Sequence, residues 1–117
     1  MVGDQVSTHE DIKKRVKVRE SKISDELLDE YLTTALDRIK LYTGINDLPI
    51  EFNSIIVDVV LAMYRRKYYE GIEQEKADVF SVKFINNILS QFDREFQNYK
   101  RKKAEELNNL SGKIVFK

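Results

Sequence analysis

Three kinds of side chain in the sequence could do chemistry: a single histidine, a group of carboxylates and several clusters of lysine and arginine. Catalysis by His9 would need an oriented partner and a pocket, and the sequence indicates neither, so we expect no catalytic role for it. The carboxylates Asp25, Glu26, Asp29 and Glu30 stand at the start of a predicted helix, where acids stabilise the positive end of the helix dipole. Because no cysteine, second histidine or calcium-loop spacing accompanies them, we expect no metal site.

The basic clusters raise the question of nucleic-acid binding, because several cations within a helical turn can neutralise phosphates in a salt-dependent way. The clusters are Lys13, Lys14, Arg15 and Lys17; Arg65, Arg66 and Lys67; and Lys100, Arg101, Lys102 and Lys103. A structural interpretation competes, since cations also stabilise helix C-termini and the last cluster is offset by Glu105 and Glu106. A contact with DNA or a partner protein therefore remains open at residues 13–15 and 100–103.

Sequence-specific DNA binding is not indicated. A helix-turn-helix needs a turn of three or four residues followed by a polar recognition helix. The connection GINDLP is longer than that, and the helix predicted after it is too apolar to lie in a groove. The basic clusters nevertheless keep one functional alternative open, which is a small helical module that binds DNA or regulates another protein.

The composition excludes several classes of protein. The chain has 117 residues, enough for one domain with one core, and its 20 Lys plus Arg equal its 20 Asp plus Glu. No net field therefore attracts it to nucleic acid or an anionic membrane. It has no cysteine and no glycine-rich phosphate loop. With no membrane-length apolar run and no signal-peptide pattern, we expect a soluble, intracellular protein. The sequence offers no nucleophile-base pair, so an enzyme is only a second alternative, and we expect no cofactor.

Helical periodicity dominates the chain and predicts an all-α fold. Apolar residues recur every three or four positions from Ser24 to Gly44, which predicts a helix with a serine N-cap and a glycine stop. A second helix is predicted from Pro49 to Gly71, although its β-branched run IIVDVVLAM could also be read as a buried strand. A third stripe extends from Ile85 to Tyr99, and a basic string follows it.

These elements predict one small helical bundle of three main helices and a short leading helix. Its parts are residues 1–23, a short basic helix; 24–71, two core helices; 72–84, an extended loop or arm; 85–111, a C-terminal helix; and 112–117, a tail.

Two short segments interrupt the helical pattern with a β-like one. In EGIEQEKADVFSVKF, residues 70–84, the polar run gives way to strict alternation, with Val79, Phe80, Val82 and Phe84 as its apolar residues. The tail GKIVFK is also β-prone, with the apolar residues Ile114, Val115 and Phe116. An isolated strand cannot satisfy its backbone groups, so we expect both segments to pair with something.

The order of several motifs resembles the head-tail connector, or adaptor, proteins of tailed phages and prophages. The motifs are Ser24-Asp25-Glu26-Leu27-Leu28, then Ile39, Tyr42-Thr43-Gly44, Leu48-Pro49, Tyr64-Arg65-Arg66, a polar loop and Phe80-Ser81-Val82. The resemblance covers about residues 24 to 99. The basic segment before it and the tail after it are less typical of the family.

The resemblance implies a structural subunit with no catalytic activity. Such subunits assemble into a ring, commonly of twelve copies, beneath the portal protein at the capsid vertex, and can be monomeric in solution. The ring extends the DNA channel and supports the next head-completion protein or the tail. Contact with DNA in the channel would be non-specific at most. The implied location is the neck of the virion, with the host cytoplasm as the place of assembly and no membrane involved.

The resemblance also suggests a use for the β-like segments. In a closed ring each copy presents two different surfaces, so an arm of one copy can pair with the next. We therefore expect the subunit interface at Val79, Phe80, Val82, Phe84, Ile114, Val115 and Phe116. The alternative is that the loop folds back on its own bundle and the tail is disordered.

Overall fold

The computed structural model describes residues 9–70 and 82–115. In these ranges the chain forms five α-helices, one 3-10 turn and no β-strand. The helices are α1 (His9–Arg19), α2 (Asp25–Thr43), α3 (Asn53–Glu70), α4 (Val82–Ser90) and α5 (Asp93–Val115), and the 3-10 turn is Ile50–Phe52. The prediction of a small all-α bundle is confirmed.

Helix α2 begins and ends as its sequence predicts. The Ser24 hydroxyl accepts a hydrogen bond of 3.1 Å from the backbone N–H of Leu27, which satisfies one of the unpaired donors of the first turn. At the other end Gly44 adopts a φ of 77°, and its N–H donates to the Lys40 carbonyl at 2.8 Å. Glycine occupies this left-handed position without strain, so the helix stops here and the chain turns towards α3.

Helix α3 is the centre of the bundle and packs against α1, α2 and α4. It is apolar nearly all round, as a central helix must be. Among residues 53–66 its buried apolar side chains are Ile55, Ile56, Val57, Val59, Val60, Leu61, Met63 and Tyr64. The run that could have been a strand is therefore helical. The chain enters α3 through the 3-10 turn rather than at Pro49, because Phe52 N–H donates to the Pro49 carbonyl at 2.9 Å.

Helix α1 packs across α3 and, less extensively, α2. It contributes two fully buried side chains, Ile12 and Val16, one helical turn apart. Burying each is worth about 1.5–3 kcal/mol, so this polar helix depends on few apolar contacts. The short leading helix predicted from the sequence is present in the described residues.

The predicted C-terminal helix is two helices rather than one. Helix α4 ends at Ser90, and α5 begins at Asp93 after a turn at Gln91 and Phe92. Two tight backbone hydrogen bonds mark the turn: Gln91 N–H to the Ile88 carbonyl at 3.1 Å, and Phe92 N–H to that of Leu89 at 2.9 Å. The prediction of a continuous helix over residues 85–111 was wrong because the apolar stripe continues through the turn and hides it.

The β-like conformation expected at residues 82–84 and 114–115 is also wrong. Val82 and Phe84 belong to the first turn of α4, and Ile114 and Val115 to the end of α5. Val82 is followed at helical spacing by the buried Ile85 and Leu89, so helical packing prevails over the short alternating pattern. The rest of the expected arm, including Val79 and Phe80, and the last tail residue Phe116 lie outside the described residues.

Candidate assembly surfaces

The basic residues of α1 mostly bind acidic or polar groups of their own chain. Lys13 Nζ lies 2.8 Å from Asp29 Oδ1, and the Arg15 guanidinium donates to Ser54 Oγ at 2.6 Å. Lys14 is exposed and has no ion-pair partner among the described residues. Of the three α1 residues predicted to contact DNA or a partner, only Lys14 therefore presents an uncommitted charge.

Further ion pairs in and just after α1 fix this helix to the bundle. The ion pairs are Lys17 with Asp25 at 3.0 Å, Arg19 with Asp58 at 3.3 Å, and Glu20 with Arg65 at 3.0 Å. The Lys17 ammonium lowers the pKa of Asp25 below its ordinary value, mainly by donating a hydrogen bond to it. Asp25 and Asp29, which seemed to serve only the α2 dipole, are thus also anchors for α1.

The second basic cluster lies on α5 and is more exposed. Lys100, Arg101 and Lys102 are exposed, and Arg101 donates to Asn98 Oδ1 at 3.1 Å. Lys103 is half-buried: its ammonium pairs with Glu106 at 3.5 Å and lies 6.0 Å from the centre of the Tyr99 ring. The two predicted clusters thus occupy different helices, and the α5 cluster offers more accessible charge.

An aromatic cluster attaches the first turns of α5 to the bundle. Phe96 is 1% exposed and is the centre of the cluster. Its ring centre lies 5.3 Å from that of Phe52 and 5.9 Å from that of Tyr42, while Phe52 and Tyr99 are 5.2 Å apart. Edge-to-face and tilted aromatic pairs at such distances are favourable beyond their buried area. The cluster therefore joins α5 to the end of α2 and the start of α3.

A hydrogen bond at the edge of this cluster adds a polar contact. The Tyr42 hydroxyl donates to Asp93 Oδ1 at 2.6 Å. Because ionisation of the phenol would remove this donor, Asp93 raises the pKa of Tyr42 above its ordinary value, and desolvation and charge repulsion act in the same direction. The bond joins the last turn of α2 to the first turn of α5.

The stabilisation from this bond should disappear in strong alkali. The folded-state pKa of Tyr42 is above the unfolded value of about 10, so the contribution should be complete below that pH and lost as the pH rises through the folded-state pKa. Urea unfolding of the wild type and Tyr42→Phe across this range measures it. The stability difference between the two proteins should shrink as the pH rises, and a difference independent of pH would contradict the assignment.

A groove of about 370 Å³ lies between the start of α3 and helix α5. Phe52, which is buried, and Tyr99, which is half-buried, provide its aromatic surface. The exposed carboxylates Glu51 and Glu95 also line it, and neither has an ion-pair partner among the described residues. The remaining lining residues are Ser54, Ile55, Asn98 and Lys102. A surface of this kind suits a partner that carries both apolar and cationic side chains.

Beyond the aromatic cluster, α5 leaves the bundle. Residues 104–109 are all exposed, and Leu107 keeps 63% of its surface accessible. A helical segment without tertiary packing is marginal in water, and an exposed leucine on it buries nothing within the chain. This half of α5 is therefore a candidate contact surface for another molecule.

The predicted interface residues are only partly within the described chain. Val82, at the start of α4, is 47% exposed, whereas Phe84 is half-buried with the Arg66 guanidinium 4.4 Å from its ring centre. Phe84 thus packs mainly within its own chain, between α4 and α3. The groove was missed altogether. The close spacing of Phe96 and Tyr99 could have indicated it, but no sequence signal pairs them with Phe52.

No group of three or more histidine, cysteine or acidic side chains in residues 9–70 and 82–115 could hold a metal ion. His9 is exposed at the first position of α1. Among these residues no helix is both long and apolar enough to cross a bilayer.

Comparisons with known proteins indicate a family. A family model described as phage gp6-like head-tail connector protein matches residues 7–100, which extend from the start of α1 into the second turn of α5. No curated protein and no solved structure matches the chain.

Proposed function

We propose, because this chain belongs to the phage gp6-like head-tail connector family, that it is a structural subunit of the ring that joins a phage head to its tail. In this proposal the ring docks under the portal protein, extends the DNA channel and supports the next head-completion or tail protein. The observation that carries the proposal is the family match over residues 7–100. The role needs rigid shape and accessible surfaces rather than an active site.

The proposed partners are further copies of the chain, the portal protein and one further head-completion or tail protein. The resemblance found in the sequence suggests about twelve copies in the ring and allows a monomer before assembly. The subunit would act in the neck of the virion after assembly in the host cytoplasm.

The contacts between copies are proposed to include the residues on either side of the polar loop and at the end of the chain. These are Val79, Phe80, Val82 and Phe84, and Ile114, Val115 and Phe116. Val82 and Phe84 would act as side chains on a helix rather than on a strand, since both lie in α4. The exposed surface of Val82 supports this use most directly.

Contact with DNA is proposed to be weak and independent of sequence. Lys14, Lys100, Arg101 and Lys102 are the accessible cations of the two clusters, whereas Lys13 binds Asp29 of its own chain. A few exposed cations on a chain with no net charge suit a channel through which DNA must move. For the same reason the structure does not favour a dedicated DNA-binding module.

Electron microscopy of the concentrated protein, alone and mixed with isolated portal rings, tests the proposed function. We expect rings with a central channel that stack on one end of the portal, and the portal alone is the control. A chain that neither forms rings nor binds the portal at any concentration would contradict the proposal.

A further inference from the structure

Five cations lie around the buried stripe of α1, namely Lys13, Lys14, Arg15, Lys17 and Arg19. On one side of that stripe Lys13 and Lys17 bind carboxylates of α2. On the other side Arg15 and Arg19 bind side chains of α3. The helical spacing places Lys14 between these two rows, where it is exposed. Four of the five cations therefore contact the protein's own bundle.

Three carboxylates of the bundle, which we call the masking acids, each neutralise one of these cations. The pairs are Asp29 with Lys13 at 2.8 Å, Asp25 with Lys17 at 3.0 Å, and Asp58 with Arg19 at 3.3 Å. The three carboxylate side chains are 59%, 80% and 48% exposed, in that order. Pairs so accessible to water are weak, and salt weakens them further. A phosphate group can therefore compete for the same cations.

Release of these cations does not require α1 to leave the bundle. Ile12 and Val16 hold the helix by burial, which does not depend on the ion pairs. Lysine and arginine have long, flexible side chains, so a released cation can reach the outer side of α1, where Lys14 lies. That side would then present several cations within about two helical turns, which is enough charge to neutralise several phosphates of a duplex.

We propose that Asp25, Asp29 and Asp58 neutralise the cations of α1 and thereby keep this helix from binding duplex DNA tightly. The choice of DNA as the partner rests on the proposed function, in which DNA passes through the ring. The ion pairs themselves lie within one chain and exist without the ring. Because each masking acid competes with phosphate for its cation, it weakens a contact with DNA that must move.

Neutralising the masking acids tests the proposal. The triple variant carries Asp25→Asn, Asp29→Asn and Asp58→Asn, and fluorescence anisotropy measures its binding to a short DNA duplex at several salt concentrations. We expect the affinity at low salt to rise at least about tenfold. The slope of log affinity against log salt should steepen by about 0.9 for each cation that gains a phosphate. Lys17 also donates to the Ile23 carbonyl at 2.8 Å, so its share should be the smallest.

A matched control separates the release of cations from a change of net charge. Glu26→Gln, Glu30→Gln and Asp37→Asn remove the same number of negative charges from exposed positions of α2. None of these three acids forms an ion pair within residues 9–70 and 82–115. The control variant therefore has the net charge of the triple variant but releases no cation of α1, and its salt slope should stay that of the wild type.

Equal salt slopes for the two triple variants would overturn the proposal, as would a triple variant without measurable DNA binding at low salt. Circular dichroism shows whether each variant stays folded. If the triple variant loses helicity, Asp29→Asn alone gives the same comparison for Lys13, with Glu30→Gln as its control. The slope should then differ by about 0.9.

The outcomes separate this inference from the function on which it rests. Binding of the wild-type chain to isolated portal rings is measured separately. A chain that binds the portal but shows equal slopes disproves only the role of the masking acids. A slope difference in a chain that neither forms rings nor binds the portal disproves the proposed function.

Discussion

Replacing Phe96 with alanine should lower the free energy of unfolding by about 3–5 kcal/mol. The side chain is 1% exposed and contacts the rings of both Phe52 and Tyr42, so its removal leaves a cavity between α5 and the bundle. Because that cluster holds the start of α5, the helix should also lose its fixed orientation. Urea unfolding gives the energy, and amide hydrogen exchange of α5 gives the loss of order.

Leu107→Ala is the matched control in the same helix. That side chain is 63% exposed, so its truncation should change stability by no more than about 0.5 kcal/mol. Similar losses for the two variants would mean that the aromatic cluster does not anchor α5.

Replacing Ile56 with alanine should cost about 2–5 kcal/mol of stability. Ile56 is fully buried in α3, the helix that packs against α1, α2 and α4, so the surrounding side chains have little freedom to collapse into the space. Thermal and urea unfolding should remain a single cooperative transition, shifted to a lower midpoint.

Ile56→Val tests whether the loss scales with the volume removed. Deleting one methyl group should cost about 0.5–1.5 kcal/mol, well below the alanine value. If both variants lost the same small amount, α3 would not be the tightly packed centre of the fold.

Much of this fold could be predicted from local sequence signals. The apolar stripe of α2 is flanked by two capping residues, Ser24 before it and Gly44 after it. The structure has the N-cap and the C-cap of α2 at these two residues. The all-α class followed from this periodicity and from the scarcity of turn residues. The family followed from the order of motifs along the chain, and the match over residues 7–100 supports it.

The wrong predictions concern segments whose apolar pattern fits two different structures. The stripe from Ile85 to Tyr99 does not change at Gln91, yet the chain turns there so that α4 packs on α2 and α3. Val82 and Phe84 alternate like strand residues but also fit the helical spacing that follows them. In both cases tertiary packing decides between alternatives that local sequence leaves nearly equal.

The candidate surfaces were less predictable than the fold. The α1 cations appeared free in the sequence, because their partners Asp29 and Ser54 are distant along the chain and meet them only in the folded bundle. The groove likewise joins Glu51 to Glu95 across the molecule. Contacts between distant residues depend on topology, which periodicity does not specify.

The projection of α5 beyond the bundle constrains how the chain can vary in length. Inserting one residue after Ala104 would rotate every later side chain by about 100° around the helix axis and turn Leu107 away from its present direction. Inserting seven would restore the direction and lengthen the helix by about 10 Å. A partner that binds the Leu107 face of this helix would therefore tolerate the insertion of a whole heptad better than that of one residue.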